Sequence, residues 1–79
     1  MARKPDEIAL FNELRSRSED GRGYIGGRSG MIALCEELGI PEKRAFYILI
    51  KWSENGWWDY GMWAWGGWFT PEAPSALTS

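Results

Sequence analysis

Basic side chains at helical spacing are the residues of this chain best suited to chemistry, and the chemistry they suit is binding. In the second half of the chain, lysine, arginine and tyrosine recur at steps of 1, 3 and 4 residues, so much of the set shares one helix face. A guanidinium fork matches the paired acceptors of guanine, and a lysine ammonium suits a phosphate. These candidate contact residues are Lys43, Arg44, Tyr47 and Lys51. A preceding helix would begin near Arg28 and Ser29, where free backbone N–H groups favour an anion.

Tryptophan is the second unusual feature, because the chain has 6 in 79 residues and most lie between residues 57 and 68. A domain this small cannot bury all of these indoles. If the segment is extended, alternation places Trp63 and Trp65 on one side, and we expect both to contact a protein partner or to stack on bases. Phe46 and Ile50 stand at i and i+4 on an outer helix face, so a following hairpin or a second chain should cover them. The aromatic residues expected in the core are Trp57, Tyr60 and Trp68.

Catalysis has little support in the sequence. The chain has no histidine, which removes the commonest general base and metal ligand, and one cysteine is too few for a cysteine-rich zinc site. The run Gly21-Arg22-Gly23-Tyr24-Ile25-Gly26 matches G-x-G-x-x-G, but it neither follows a strand nor opens a βαβ unit. Cys35 falls on an inward stripe and is interpreted as a small core residue. We therefore expect no enzyme activity, no cofactor and no metal.

Length and charge narrow the class of protein further. A chain of 79 residues and 9.0 kDa predicts one domain over residues 1–79, with an ordered core over residues 5–73 and a tail over residues 74–79. The net charge of -2 argues mildly against a nucleic-acid partner, although clustering of charge matters more than the total. A single cysteine cannot form an internal disulfide, which fits a reducing cytoplasm. No apolar run approaches the ~20 residues that span a bilayer, so we expect no membrane partner.

The elements that position these residues are three helices and a hairpin. Proline and two acids open a first helix, predicted over residues 5–18, and Ser29 is the expected N-cap of a second. Gly39 stops the second helix, and Pro41-Glu42 starts the third at once. An asparagine–glycine pair ends the third helix, and the stretch after it predicts two strands around a glycine-bearing loop. Tyr24-Ile25, between glycines, predicts a short additional strand.

Two runs of the sequence carry a recognisable pattern: Leu34-Cys35-Glu36-Glu37-Leu38-Gly39-Ile40-Pro41, with its apolar positions and glycine turn, and Gly67-Trp68-Phe69-Thr70-Pro71, which looks like the end of a wing. With these runs the chain resembles the winged helix-turn-helix family of prokaryotic and phage DNA-binding domains. The resemblance covers roughly residues 5–73 and implies a small α+β fold of three helices and a two- or three-stranded antiparallel sheet. The wing tip, residues 62–67, departs from the family's habit because it carries no arginine or lysine.

The resemblance implies that the third helix reads double-stranded DNA in the major groove, with the wing adding contact through its indoles. The base-reading residues would be Lys43, Arg44 and Tyr47, and those that position the backbone would be Arg28, Ser29 and Lys51. Such a protein would be a small transcription regulator, or an accessory factor for recombination or DNA assembly in a phage or mobile element. The alternative is a protein-interaction module, a homodimer or an inhibitor-like clamp, that uses the Trp-rich wing with Phe46 and Ile50.

Overall fold

Across residues 4–78, which the computed structural model describes, three α-helices are followed by a β-hairpin. The elements in chain order are α1 (Pro5–Arg17), a 3-10 turn (Glu19–Gly21), α2 (Gly27–Leu38), α3 (Glu42–Glu54), β1 (Trp58–Asp59), a second 3-10 turn (Ala64–Gly66) and β2 (Trp68–Phe69). This is a small α+β fold of the winged helix-turn-helix type, in which the hairpin is the wing. The fold class that the sequence predicts is therefore confirmed.

Helix α1 follows the local signals in the sequence. Proline occupies its first turn, two acids follow at the positive end of the helix dipole, and two arginines lie in its last turn. Ser18 closes the helix, because its hydroxyl donates to the Leu14 carbonyl while the Gly23 N–H donates to the Ser18 oxygen at 2.7 Å. The predicted range of 5–18 is thus correct to within one residue.

Helix α2 begins three residues earlier than a Ser29 cap would place it. Its N-cap is Gly26, whose φ of 101° belongs to the left-handed region that favours glycine, so the expectation of Ser29 as the cap is wrong. Gly30 packs so closely that a Cβ there would overlap the Ile25 carbonyl. The expected strand at Tyr24-Ile25 is also absent from the described residues, because the chain bends there to enter the helix.

The corner between α2 and α3 forms as the sequence predicts. Gly39 adopts a φ of 74°, and the Ile40 N–H donates to the Cys35 carbonyl at 2.8 Å, which satisfies a carbonyl at the end of α2. The Ile40 side chain is buried between the helices, and Pro41 precedes the first residue of α3. The turn ends α2, and α3 begins after it with one face against the core and the other face exposed.

One apolar cluster joins the three helices to the hairpin. At its centre the Phe11 ring lies 5.2 Å from the Trp52 ring and 4.5 Å from the Phe69 ring, centroid to centroid. The Trp58 indole N–H donates to the Ala64 carbonyl at 2.8 Å, so its polar atom is satisfied inside the core. The buried residues of this core are Leu10, Phe11, Leu14, Met31, Leu34, Cys35, Ile40, Ala45, Ile48, Leu49, Trp52, Trp58, Ala64, Trp65, Phe69 and Leu77.

The hairpin is short, with Trp58 opposite Phe69 and Asp59 opposite Trp68. Successive side chains of a strand point to opposite faces, so Phe69 enters the core while Trp68 remains on the outer face, exposed. The expectation that Trp68 is a core residue is therefore wrong. Trp57 and Tyr60 are partly buried against the core, as the sequence predicts.

The C-terminal segment is part of the folded structure, which corrects the expectation of a loose tail over residues 74–79, at least as far as residue 78. Leu77 is only 5% exposed, and its backbone N–H and carbonyl both bond to the Asn12 side chain, at 2.9 and 3.0 Å. The Arg15 guanidinium donates to the Pro74 carbonyl at 2.6 Å and to the Gly21 carbonyl at 2.9 Å. Arg15 also lies over the Phe69 ring, 4.3 Å from its centroid. The segment is thus held to α1 at two separate points.

Candidate binding surface on the third helix and the wing

The outer face of α3 is open to solvent. Lys43, Tyr47 and Lys51 are all exposed, and their spacing of 4 residues places them one turn apart along the helix. The opposite face carries the residues that bury α3 in the core: Ala45, Ile48, Leu49 and Trp52. The structure therefore brings three of the six predicted nucleic-acid contacts together on one open ridge.

Arg44 is not on that ridge, which corrects the sequence interpretation of an open guanidinium. It forms a bidentate ion pair with Asp6 of α1, from Nε to Oδ2 at 2.7 Å and from Nη2 to Oδ1 at 3.0 Å. Arg44 holds the pKa of the Asp6 carboxyl below its usual range, and Asp6 raises the pKa of Arg44. The guanidinium also lies 5.6 Å from the Tyr47 ring centroid. Arg44 thus ties α3 to α1.

Two further cations of the predicted site also face carboxylates of this chain. Arg28, at the start of α2, pairs with Glu42 at the start of α3. The Lys51 Nζ lies 3.9 Å from Glu7, a buried carboxylate that accepts the Trp52 indole N–H at 2.8 Å. Lys43 has no ion pair among residues 4–78, and Ser29 is exposed in the first turn of α2. The positive charge around α3 is therefore largely balanced.

The wing places Trp65 inside rather than outside. Trp65 is 7% exposed, and its ring lies 5.7 Å from the Phe46 ring, centroid to centroid. The sequence expectation that Trp63 and Trp65 share an exposed side is wrong, because the chain forms a 3-10 turn over Ala64–Gly66 and does not continue as a strand. This turn packs against both α2 and α3. Trp65 therefore covers part of the outer face of α3.

The wing residues just before this turn expose large apolar side chains. Trp63 is 58% exposed and Met62 is 99% exposed. The Trp63 indole lies over Gly66, where a Cβ would come within 3.7 Å of the indole nitrogen. On α3, Phe46 is 43% exposed, and Ile50 is partly buried against the core. We call the surface formed by Phe46, Met62, Trp63 and Trp65 the aromatic edge.

Thiols and clustered carboxylates are the groups that nucleophilic chemistry or metal binding would use. Within residues 4–78 no three His, Cys, Asp or Glu side chains come together as a metal site would require. Burial raises the pKa of the Cys35 thiol to about 11, so the thiolate is scarce at neutral pH. None of the helices in this part of the chain combines the length and apolar character needed to cross a bilayer.

Sequence reasoning missed the carboxylates that balance this surface. Asp6 and Glu7 have a sufficient local explanation at the start of α1, where acids favour the helix dipole. Their partners Arg44 and Lys51 lie far along the chain, so no spacing rule joins them. The signal that was present is the similar number of acids and bases in the chain, 11 and 9, which makes internal pairing common.

No protein-family model, curated protein or solved structure matches this chain. The assignment of this domain to the α+β class therefore depends on its own three helices and its antiparallel hairpin.

Proposed function

We propose that this protein binds double-stranded DNA, with α3 lying in the major groove and the wing beside it. The observation that carries the proposal is the open ridge on α3, where Lys43, Tyr47 and Lys51 face solvent along the second helix of a helix-turn-helix pair. The major groove is wide enough to admit an α-helix, and exposed polar side chains on that helix can then reach the base edges. In this fold type the N-terminal part of that helix meets the base edges.

Of the three base-reading residues that the sequence favours, Arg44 is paired with Asp6, while Lys43 and Tyr47 are open. Tyr47 is open near the start of α3 and offers a hydrogen-bond donor to a base edge, and Lys43, one turn before it, is placed to contact the adjoining phosphate. Arg44 would have to leave Asp6 before it could contact guanine, so it contributes less than its type suggests. Arg28 and Ser29, in the first turn of α2, lie where backbone N–H groups favour a phosphate.

The phosphate contacts are few. Lys43, Lys51 and Arg28 are the exposed cations on this side, and the Arg28–Glu42 pair can yield to a phosphate because exposed ion pairs are worth only ~0–1 kcal/mol. About three phosphate contacts correspond to a slope of roughly -2.7 in a plot of log affinity against log salt. A single domain therefore binds DNA weakly. The family resemblance suggests use as a small transcription regulator or as an accessory factor of a phage or mobile element.

The experiment is a titration of fluorescently labelled random-sequence duplex, read by anisotropy. Between about 50 and about 200 mM salt, affinity should fall roughly 40-fold for the wild type and only about 12-fold for Lys43→Ala, which loses one contact. Arg17→Gln is the matched control, since Arg17 is exposed but pairs with Glu13 and Glu37 away from α3. Absence of affinity at the lower salt, or equal loss in the control, would refute the proposal.

The same titration separates DNA binding from the alternative of a protein-interaction module. A module that works through the wing alone has no affinity for duplex at any salt. It would also give the same result for Lys43→Ala as for the wild type.

A further inference from the structure

We propose that two copies of this chain pair through the aromatic edge, with Trp63 at the centre of the contact. The inference goes beyond DNA binding and does not depend on it, because it uses a different flank of α3 and the tip of the wing. It concerns the open apolar groups Phe46, Met62 and Trp63, which Trp65 supports from beneath.

The edge is rigid enough to act as a preformed contact. Trp65, in the wing turn, is buried with its ring against Phe46, and the turn is anchored where the Trp58 indole N–H donates to the Ala64 carbonyl. Gly67 follows under the same restraint, since a Cβ there would lie 2.6 Å from the Asp59 carbonyl oxygen. An exposed indole on such a base gives a large contact area at low entropic cost, and tryptophan is enriched at interface hot spots.

The lack of charged side chains in this part of the wing favours an uncharged partner surface. The wing from residue 60 to residue 70 contains no charged side chain, so two edges meet without like-charge repulsion although each chain carries -2. A polyanion or an anionic lipid surface finds no cation in this stretch. A strongly acidic or basic protein likewise finds no complement here. A second copy of the same neutral surface is the occupant that these residues fit.

The exposed area agrees with a weak, symmetric pair. Taking about 150–250 Å² for a full aromatic side chain, the open fractions of Phe46 and Trp63 with Met62 amount to roughly 300–400 Å² on each copy. An isologous contact uses the same patch twice, which gives an apolar centre of roughly 600–800 Å² inside a polar rim. Specific interfaces of low area hold transient complexes. We expect a dissociation constant in the micromolar range.

Pairing has a direct use for the proposed DNA reader. Each single domain makes few phosphate contacts, and two linked ridges raise the total affinity without any new contact to DNA. Dimers of this fold class bind two half-sites on one face of the duplex. The proposal is tested by whether the chain self-associates in the absence of DNA.

The test is sedimentation velocity or light scattering on the full chain, without DNA, from about 1 to about 500 µM, a range that brackets a micromolar constant. The wild-type mass should rise from 9.0 kDa towards twice that value. Trp63→Ala should weaken association at least tenfold, as expected for a central indole. Met62→Lys should do the same by placing like charges in the contact, and its site is so exposed that the fold is unaffected. Added salt should leave wild-type pairing unchanged.

Tyr24→Ala is the matched control, because Tyr24 is also an exposed aromatic residue but lies in the glycine-rich loop before α2. Its association should equal that of the wild type. Wild-type chain that keeps the mass of one copy at the highest concentration would overturn the proposal. So would a dimer that survives both Trp63→Ala and Met62→Lys, or one that Tyr24→Ala disrupts.

Discussion

Replacing Leu77 with alanine tests whether the C-terminal segment belongs to the folded core. Its side chain is almost fully buried, although it lies in a polar stretch that sequence reasoning assigns to a loose tail. The two hydrogen bonds to Asn12 involve the Leu77 backbone, so they are still available after the substitution. Leu77→Ala therefore removes apolar burial while it preserves the polar contacts.

The expected loss of stability is about 2 kcal/mol. Leucine-to-alanine changes in cores cost about 2–5 kcal/mol, and the lower end applies here because a terminal segment can partly collapse into the space. At ~0.05–0.15 kcal/mol per residue, the whole domain has roughly 4–12 kcal/mol of stability. The change should lower Tm by about 8–16 °C, since each kcal/mol corresponds to ~4–8 °C in a domain of this size.

Thermal unfolding followed by circular dichroism, together with urea titration, measures this effect. Thr78→Ala is the matched control, because Thr78 is the exposed neighbour of Leu77 and its replacement should change stability by less than about 0.5 kcal/mol. Asn12→Ala should cost about 1–2 kcal/mol through the two lost hydrogen bonds. If Leu77→Ala unfolds like Thr78→Ala, the segment is not packed, and its assignment to the core is refuted.

Two further predictions follow from the ionisable groups. Because Arg44 lowers the pKa of Asp6 in the folded state, the Asp6–Arg44 pair stabilises the protein above about pH 4 and loses its effect as pH falls through the lowered pKa. Asp6→Asn should cost up to about 1 kcal/mol at pH 7 and less near pH 2, as measured by urea titration at both values. Burial raises the Cys35 pKa from 9.0 to about 11, so iodoacetamide at pH 8 should alkylate the folded protein at least about 100-fold more slowly than the urea-unfolded chain, and equal rates would contradict the burial.

The helices are predictable from the sequence because their boundaries depend on local chemistry. Pro5 and Pro41 each sit where α1 and α3 begin, and the left-handed Gly39 ends α2. The start of α2 is the exception. Gly26 and Gly27 both adopt positive φ there, Gly30 lies against the Ile25 carbonyl, and no side chain caps the helix, so the side-chain cap signal that the sequence offers does not mark its start.

The wing is less predictable because period-two reasoning requires an extended chain. Each strand has only two residues, and the segment between them includes a 3-10 turn that rotates Trp65 into the core. The choice between Trp63 and Trp65 as the exposed indole depends on this turn. Composition alone correctly indicates that some indoles remain uncovered, but it does not indicate which ones.

The surface of α3 has two flanks. Sequence reasoning predicts the cover over Phe46 on the wing side, but it does not predict the pairing of Arg44 on the α1 side. Arg44 and Phe46 are two positions apart, which is about 200° around a helix, so they lie on opposite sides of the ridge formed by Lys43 and Tyr47. Arg44 is drawn to α1 by Asp6, and Phe46 is drawn to the wing by Trp65. Only the ridge between them is open and polar. A substitution on the wing flank should therefore change self-association without altering the salt dependence of DNA binding by one domain, and a substitution on the ridge should do the reverse.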